Sequence, residues 1–304
     1  MKNHKIDYKS IEEVLEFEIH TKVRENIEKF DLEYVTLTDQ ERDDKILEII
    51  KKLDENIVFS GDHRLSDWEK GWLENLELFE KSKEINSLIP LYHGKYDILR
   101  WKGDFIKSVT PKLDYKLHIC LVDSILNNYV IDENNVFEFG CGPGYHLLRL
   151  SSYKKVNLYG LDWTSASQKI INDINKKFET SINSANFDFF NPNYDIDVPK
   201  GSVFYTVAAL EQVGENFKKF VDFILSKKPE LVINMEPIDE LLDDTKIIDF
   251  LSIKYFRKRN YLKNYLPYLE DLEKQGKIEI IKKQRIFYGS FYVEGHSLIV
   301  WRPI

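Results

Sequence analysis

The stretch VFEFGCGPGYHLLRL, Val136 to Leu150, decides how this chain reads. A strand-like apolar run, 136–140, enters three glycines spaced two apart, Gly140, Gly142 and Gly144. A helix-like pattern, 145–153, follows at once. Glycines let a backbone turn sharply and approach a ligand closely. The helix behind them offers unpaired N–H groups at its start. A nicotinamide fingerprint needs a third glycine at position 145, which is tyrosine here, and a Walker loop needs Gly-Lys-Ser/Thr where this chain has GPGYH. Pyrophosphate is therefore disfavoured, and the pattern is G-x-G-x-G with Glu138 two residues ahead.

Outward from the turn, short apolar runs alternate with amphipathic helices. Strands are expected at 156–162, 181–189, 202–210 and 230–236, with helices at 165–178 and 216–228. Such alternation implies right-handed crossovers and a parallel sheet covered on both faces. The segment 247–276 reads as mostly helical, and two β-rich runs meeting at Gly289-Ser290 close the chain as an antiparallel hairpin. The first 130 residues read mainly as helices: one over 10–30, one opened by a Thr38–Glu41 capping box, one opened by Ser66–Glu69, and one at 112–129. A Ser165–Gln168 box is expected to open the 165–178 helix. Trp68 and Trp72 fall on one helical face. The aromatic segment 90–105 reads as an irregular connector or a short strand.

The chain has 304 residues and a formal net charge of -8, which speaks against nucleic acid as a partner. Its two cysteines, Cys120 and Cys141, form no CxxC pair or Cys/His cluster, so neither a disulfide framework nor a structural zinc is expected. No apolar run approaches a membrane span, and no leader-like apolar segment opens the chain. A cytoplasmic protein that uses no metal is the expectation, with its oligomeric state open.

FEFGCGPG resembles motif I of the class I S-adenosylmethionine-dependent methyltransferases, and the following parts are in order. LYGLDWT resembles that family's second strand, ending in Asp162; ANFDFF resembles the third, with Asp188; VAALEQVG resembles the end of the fourth. The closing hairpin matches the family's sixth and seventh strands. The resemblance implies an α/β fold with a Rossmann-like seven-stranded sheet, parallel except for its last hairpin, and a helical N-terminal region. Residues 1–110 would form a lid or cap. Residues 111–304 would form the catalytic domain, with a helical insert at about 238–276. It implies S-adenosylmethionine as cofactor. Gly140, Gly142 and Gly144, with Cys141 between them, would approach the methionine moiety, and Glu138 would orient its ammonium group. Asp162 would accept from the ribose hydroxyls, Trp163 would stack on adenine, Asp188 would accept from the adenine amino group beside Phe189, and Leu210 and Glu211 would lie near the methionine end. Many relatives have Glu-His where this chain has Glu211-Gln212, so a catalytic histidine there does not carry over.

The acceptor is expected to be a small molecule. A base is needed for a hydroxyl acceptor, and His296, Glu236 and His93 are the main candidates. Tyr92, Tyr96 and Arg100, and the Tyr255–Tyr261 segment with Tyr255, Arg259 and Tyr261, are candidate substrate contacts, an arginine suiting an anionic group. His146 reads as a packing residue. The closing pattern EPIDELLDD…FYGSFYVEGHSLIVWRP also looks like methyltransferases of bacterial surface-polysaccharide synthesis, implying a sugar hydroxyl or a phosphate-derived group. N-methylation of an amine and a non-catalytic binding subunit are the alternatives.

Overall fold

A computed structural model describes residues 3–304. In chain order, β1 (His4–Lys5) precedes helices α1 (Tyr8–Leu15) and α2 (Thr21–Lys29). Then come β2 (Glu33–Thr36), α3 (Asp39–Asp54), α4 (Leu65–Ser82), β3 (Ile98–Trp101), β4 (Asp104–Ser108) and α5 (Leu113–Tyr129). The expected alternation follows as β5 (Asn135–Phe139), α6 (Tyr145–Tyr153), β6 (Asn157–Asp162), α7 (Ser165–Phe178), β7 (Asn183–Asn186), β8 (Ser202–Val207), α8 (Lys218–Lys227) and β9 (Leu231–Glu236). Helices α9 (Ile247–Arg259) and α10 (Tyr265–Lys274) lead into β10 (Ile278–Gly289) and β11 (His296–Pro303).

All eleven strands join one mixed sheet in the order β1-β2-β4-β3-β10-β11-β9-β8-β5-β6-β7. β5 to β9 are parallel to one another, and β11 runs antiparallel to both β9 and β10. This is a methyltransferase-like α/β fold. Side chains along the central strands alternate between faces, as a period of two requires. Phe137, Phe139 and Phe204 enter a phenylalanine-rich layer with Phe220 and Phe223 of α8. Val136, Val203 and Tyr205 enter the opposite layer with Leu117, Leu147 and Ile170. No helix among the described residues is long and apolar enough to cross a membrane.

The sheet corrects the seven-strand expectation and the helical picture of the N-terminal region. Four N-terminal strands extend the sheet beyond β10, through the pairs Tyr288↔Trp101 and Gly289↔Arg100. The segment expected as an irregular connector or a short strand is irregular up to 97 and then forms the β3–β4 hairpin, turned by Lys102 and Gly103, both at positive φ. That is the backbone a two-residue hairpin turn prefers. The helix expected over 10–30 breaks at left-handed Glu16 into α1 and α2. The Thr38–Glu41 capping box is present. Ser66–Glu69 does not cap α4; Glu69 instead accepts from the backbone N–H groups of Ser165 and Ala166 and from the Ser165 hydroxyl, at the start of α7. Thr164, one residue ahead of the expected Ser165, is the N-cap of that helix. The last hairpin has no tight turn at Gly289-Ser290, since β11 begins only at His296.

Arg100, expected to meet substrate, is fully buried in the join between sheet and α9. It donates to the carbonyls of Ile248, Phe291 and Tyr292 and to the Ser252 hydroxyl. Burial pulls its pKa down to about 9 against the raising influence of Glu294 and Asp249. Those two carboxylates are held by Arg285. Replacing Arg100 with leucine strips the Phe291 and Tyr292 carbonyls of their donor and leaves two buried carboxylates with one cation. The expected cost is on the order of 3 kcal/mol, read as a lowered urea midpoint; an unchanged midpoint would contradict this assignment.

Candidate functional site

The glycine turn sits where β5 ends. The Gly140 and Cys141 amides donate to the Leu161 carbonyl of β6 at 2.7 and 3.1 Å, so the chain leaves the sheet while still tied to the next strand. Gly140 and Gly142 both have positive φ. A Cβ on Gly140 would lie 2.4 Å from the Ala209 Cβ, and one on Gly142 would lie 2.8 Å from the Trp72 ring. Only glycine fits beneath that indole. Helix α4 thus lies directly on the turn, with Trp68 and Trp72 stacked at 5.7 Å.

A cavity of about 1090 Å³, counting its open mouth, lies beyond the carboxyl ends of the parallel strands. Of the residues expected at a cofactor, Glu138, Gly140, Cys141, Gly142, Asp162, Trp163 and Phe189 line it. Trp163 stacks on Phe190 at 6.1 Å, giving an aromatic wall. Asp162 is buried, and burial pushes its pKa up against the hydrogen bonds that it accepts. One oxygen accepts from the Gly142 amide at 3.0 Å, the other from the amide and hydroxyl of Thr164 at 2.9 and 2.7 Å. Glu138 is equally committed, accepting from the Tyr205 hydroxyl at 2.9 Å and facing His146 Nδ1 at 2.8 Å.

Several expected site residues are elsewhere. Gly144 packs on Ile171 and starts α6. Asp188 closes its own turn, accepting from the Phe190 amide and the Asn191 side chain. Leu210 and Glu211 are buried behind the cavity wall. Glu236 accepts from the amides of Ala209, Leu210 and Glu211 at 3.0–3.1 Å, which uses both its oxygens and corrects its reading as a base. It holds the loop that presents Ala208, Ala209 and Gln212 to the cavity. Tyr96 packs on Phe291 and Tyr292 outside the cavity. Tyr255 stacks on Tyr292, while Arg259 donates to the Val58 carbonyl and the Tyr261 hydroxyl, so this group braces the chain near Ser60. Of the expected substrate contacts, Tyr92 lines the cavity, as do both histidines named as bases, His93 and His296.

The sequence reading missed the contributions of Trp68, Trp72, Tyr115, His118, Tyr145 and Gln212 to the lining. Only the shared helical face of the two tryptophans carried a signal. His93, His118, His146 and His296 converge there, four of the chain's seven histidines. Both ring nitrogens of His296 are shut from solvent and lack a partner among the described residues, as does Trp68 Nε1. Burial, reinforced by neighbouring His93 and His146, drives the His296 pKa down to about 3. No group of three His, Cys, Asp or Glu side chains among the described residues is arranged to hold a metal ion.

No family model matches the sequence. The chain is 27% identical over 183 residues to a carboxy-S-adenosyl-L-methionine synthase of Nautilia profundicola, an alignment covering 55% of this chain and 76% of that one. Among solved structures it is similar to the cyclase SpnF, with a TM-score of 0.51 and 14% identity over 81% of this chain and 97% of that one. A lesser likeness, TM-score 0.42 and 11% identity over 63% of this chain and 82% of that one, is to magnesium protoporphyrin IX methyltransferase from Synechocystis PCC 6803 with bound S-adenosylmethionine. At such identities the structural likeness concerns the fold.

Glu211 and Glu236 give the region a pH signature. Burial raises Glu211 to about 8, with Glu236 adding to it, and burial raises Glu236 to about 7 against three amide hydrogen bonds. The folded state therefore keeps protons that the unfolded chain releases near the ordinary glutamate value. Stability should fall as pH rises from about 6.5 to 8, above the range in which the depressed His118 and His296 pull the other way, by about 1.4 kcal/mol for each unit of pKa difference titrated. Urea midpoints across that window test this, with Glu211→Gln flattening the slope; a midpoint that climbs with pH would rule it out.

Proposed function

We propose that the chain is an S-adenosylmethionine-dependent methyltransferase acting on a small molecule, with a hydroxyl as the favoured acceptor group. The observation that carries this reading is the convergence of the glycine turn, Asp162 and the Trp163–Phe189–Phe190 wall on one cavity at the carboxyl ends of the parallel strands. The residues fit the cofactor: Gly140 and Gly142 leave the turn bare of side chains, Asp162 is an acceptor on the wall for ribose hydroxyls, and Trp163 offers its face to adenine. S-adenosylmethionine, when bound, supplies a methyl group on a positively charged sulfur. Trp68 and Trp72 cover the turn and keep water from it. The histidine-lined part of the cavity holds the acceptor, and orienting it at attack distance supplies much of the acceleration.

The finer assignment, O-methylation of a sugar hydroxyl in surface-polysaccharide synthesis, is supported by the C-terminal likeness alone. A phosphate-derived acceptor is disfavoured, because no lysine or arginine among the described residues lines the cavity. The name of the Nautilia relative favours a second reading, in which S-adenosylmethionine is itself the molecule modified. Mass spectrometry of the spent cofactor separates the two: S-adenosylhomocysteine marks methyl transfer, and a heavier S-adenosylmethionine marks its modification.

Calorimetric titration with S-adenosylhomocysteine tests the site itself. Binding is expected in the wild type, weakened about 10- to 100-fold by Asp162→Ala, or about 1.4–2.8 kcal/mol. An Asp162→Ala protein that stays folded and binds equally well would remove Asp162 from the site.

A further inference from the structure

The four histidines in the cavity form a connected group with a carboxylate at one end. His146 Nδ1 lies 2.8 Å from Glu138 Oε1, and His146 Nε2 lies 3.3 Å from His118 Nε2. Glu138 accepts from the Tyr205 hydroxyl through its other oxygen, so it faces two donors. That arrangement sets the tautomers in turn. His146 donates from Nδ1 to the carboxylate and presents the Nε2 lone pair, and His118 donates to it from Nε2. The lone pair of His118 is then on Nδ1. Around His118 stand His93 from the 90–94 turn, His146 from α6, Tyr288 from β10 and His296 from β11, with ring centroids 5.1–6.4 Å away.

Resting on the methyltransferase reading, we propose that His118 is the general base for an uncharged hydroxyl acceptor, with His146 and Glu138 behind it as a proton relay. His296, whose two nitrogens lack partners, stands beside it to hydrogen-bond the same acceptor. As the acceptor oxygen forms its bond to the methyl carbon, its O–H proton passes to His118 Nδ1. The His118 Nε2 proton moves to His146 Nε2, and the His146 Nδ1 proton moves to Glu138. The carbon–sulfur bond breaks with its electron pair left on sulfur, so charge and atoms balance.

Two observations favour a relay over a single histidine. Burial, reinforced by the three neighbouring histidines, holds His118 well below the usual histidine range, so alone it is a weak base that stays neutral. A carboxylate at the far end of the chain removes that weakness, because the proton's positive charge need not stay on either ring. The acceptor class follows from the lining: among the described residues Glu138 and Asp162 are its carboxyl groups, and no lysine or arginine joins them. An acceptor that arrives neutral avoids the repulsion a charged one would meet, and an anion formed in place leaves its proton on the relay, so the net charge of the site is unchanged.

The test uses 4-nitrophenol as a reporter hydroxyl on full-length protein saturated with S-adenosylhomocysteine. Calorimetry first establishes that wild type, His118→Asn and His146→Gln all bind S-adenosylhomocysteine; failure of the wild type at this step defeats the methyltransferase reading instead. The expected result is that wild type binds the probe as its yellow phenolate below the pH at which free probe ionises. In both variants the ionisation of bound probe should move up by at least one pH unit, a tenfold loss of phenolate at fixed pH. Histidine nitrogen NMR should show His146 protonated on Nδ1 in the wild type. Probe bound as neutral phenol by the wild type, equal phenolate in the His118→Asn protein, or no probe binding at all would each overturn the proposal.

Discussion

The hydrogen bond from the Gly142 amide to Asp162 is the constraint on which the site depends. It joins the turn after β5, which has left the sheet, to the last residue of β6, which is still paired with β7. The same carboxylate takes the amide and hydroxyl of Thr164 and so also sets the start of α7. One buried acidic residue thereby positions two helix entries and one wall of the cavity. Its burial disfavours the charge, and the three hydrogen bonds offset that penalty.

The N-terminal region completes the site in a way that a detached lid would not. Its strands β3 and β4 continue the sheet through β10, and Arg100 clamps that join to α9 and to the loop before β11. Because the loop is clamped, His296 enters the cavity from a defined direction. From the opposite side, α4 lays Trp72 on Gly142 while Glu69 caps α7. The cover and the floor are therefore built from residues more than sixty positions apart. Glu236 works similarly, shaping the loop after β8 through three amides.

Much of the central sheet was legible because its signals are local. Alternating apolar residues, glycines and capping residues act within a few positions, so β5 to β9, the last hairpin and the helices between them fall close to expectation. The N-terminal strands were harder to see. They are two to five residues long, shorter than a period-two pattern can establish, and they lie between strongly helical segments. Glu69 shows the limit of a motif: its spacing from Ser66 satisfied a capping box, but its carboxylate found better-placed donors on another helix. Arg100, Glu236 and Arg259 were read as site residues from their neighbourhood in sequence, and each instead satisfies backbone groups that tertiary packing left bare.

By itself the sequence determined the α/β class, the glycine turn and several residues of the cavity wall beside it, Glu138, Asp162, Trp163 and Phe189. These follow from the order of strands and from where each one ends. Only the tertiary structure decided the histidine-lined side. His93, His118, His146 and His296 come from a turn, two helices and a strand spread over more than two hundred positions. No spacing rule links them, because their meeting depends on how α5 packs on α6 and how β11 is drawn between β9 and β10. A chemical group made of side chains from separate elements exists only once those elements have packed.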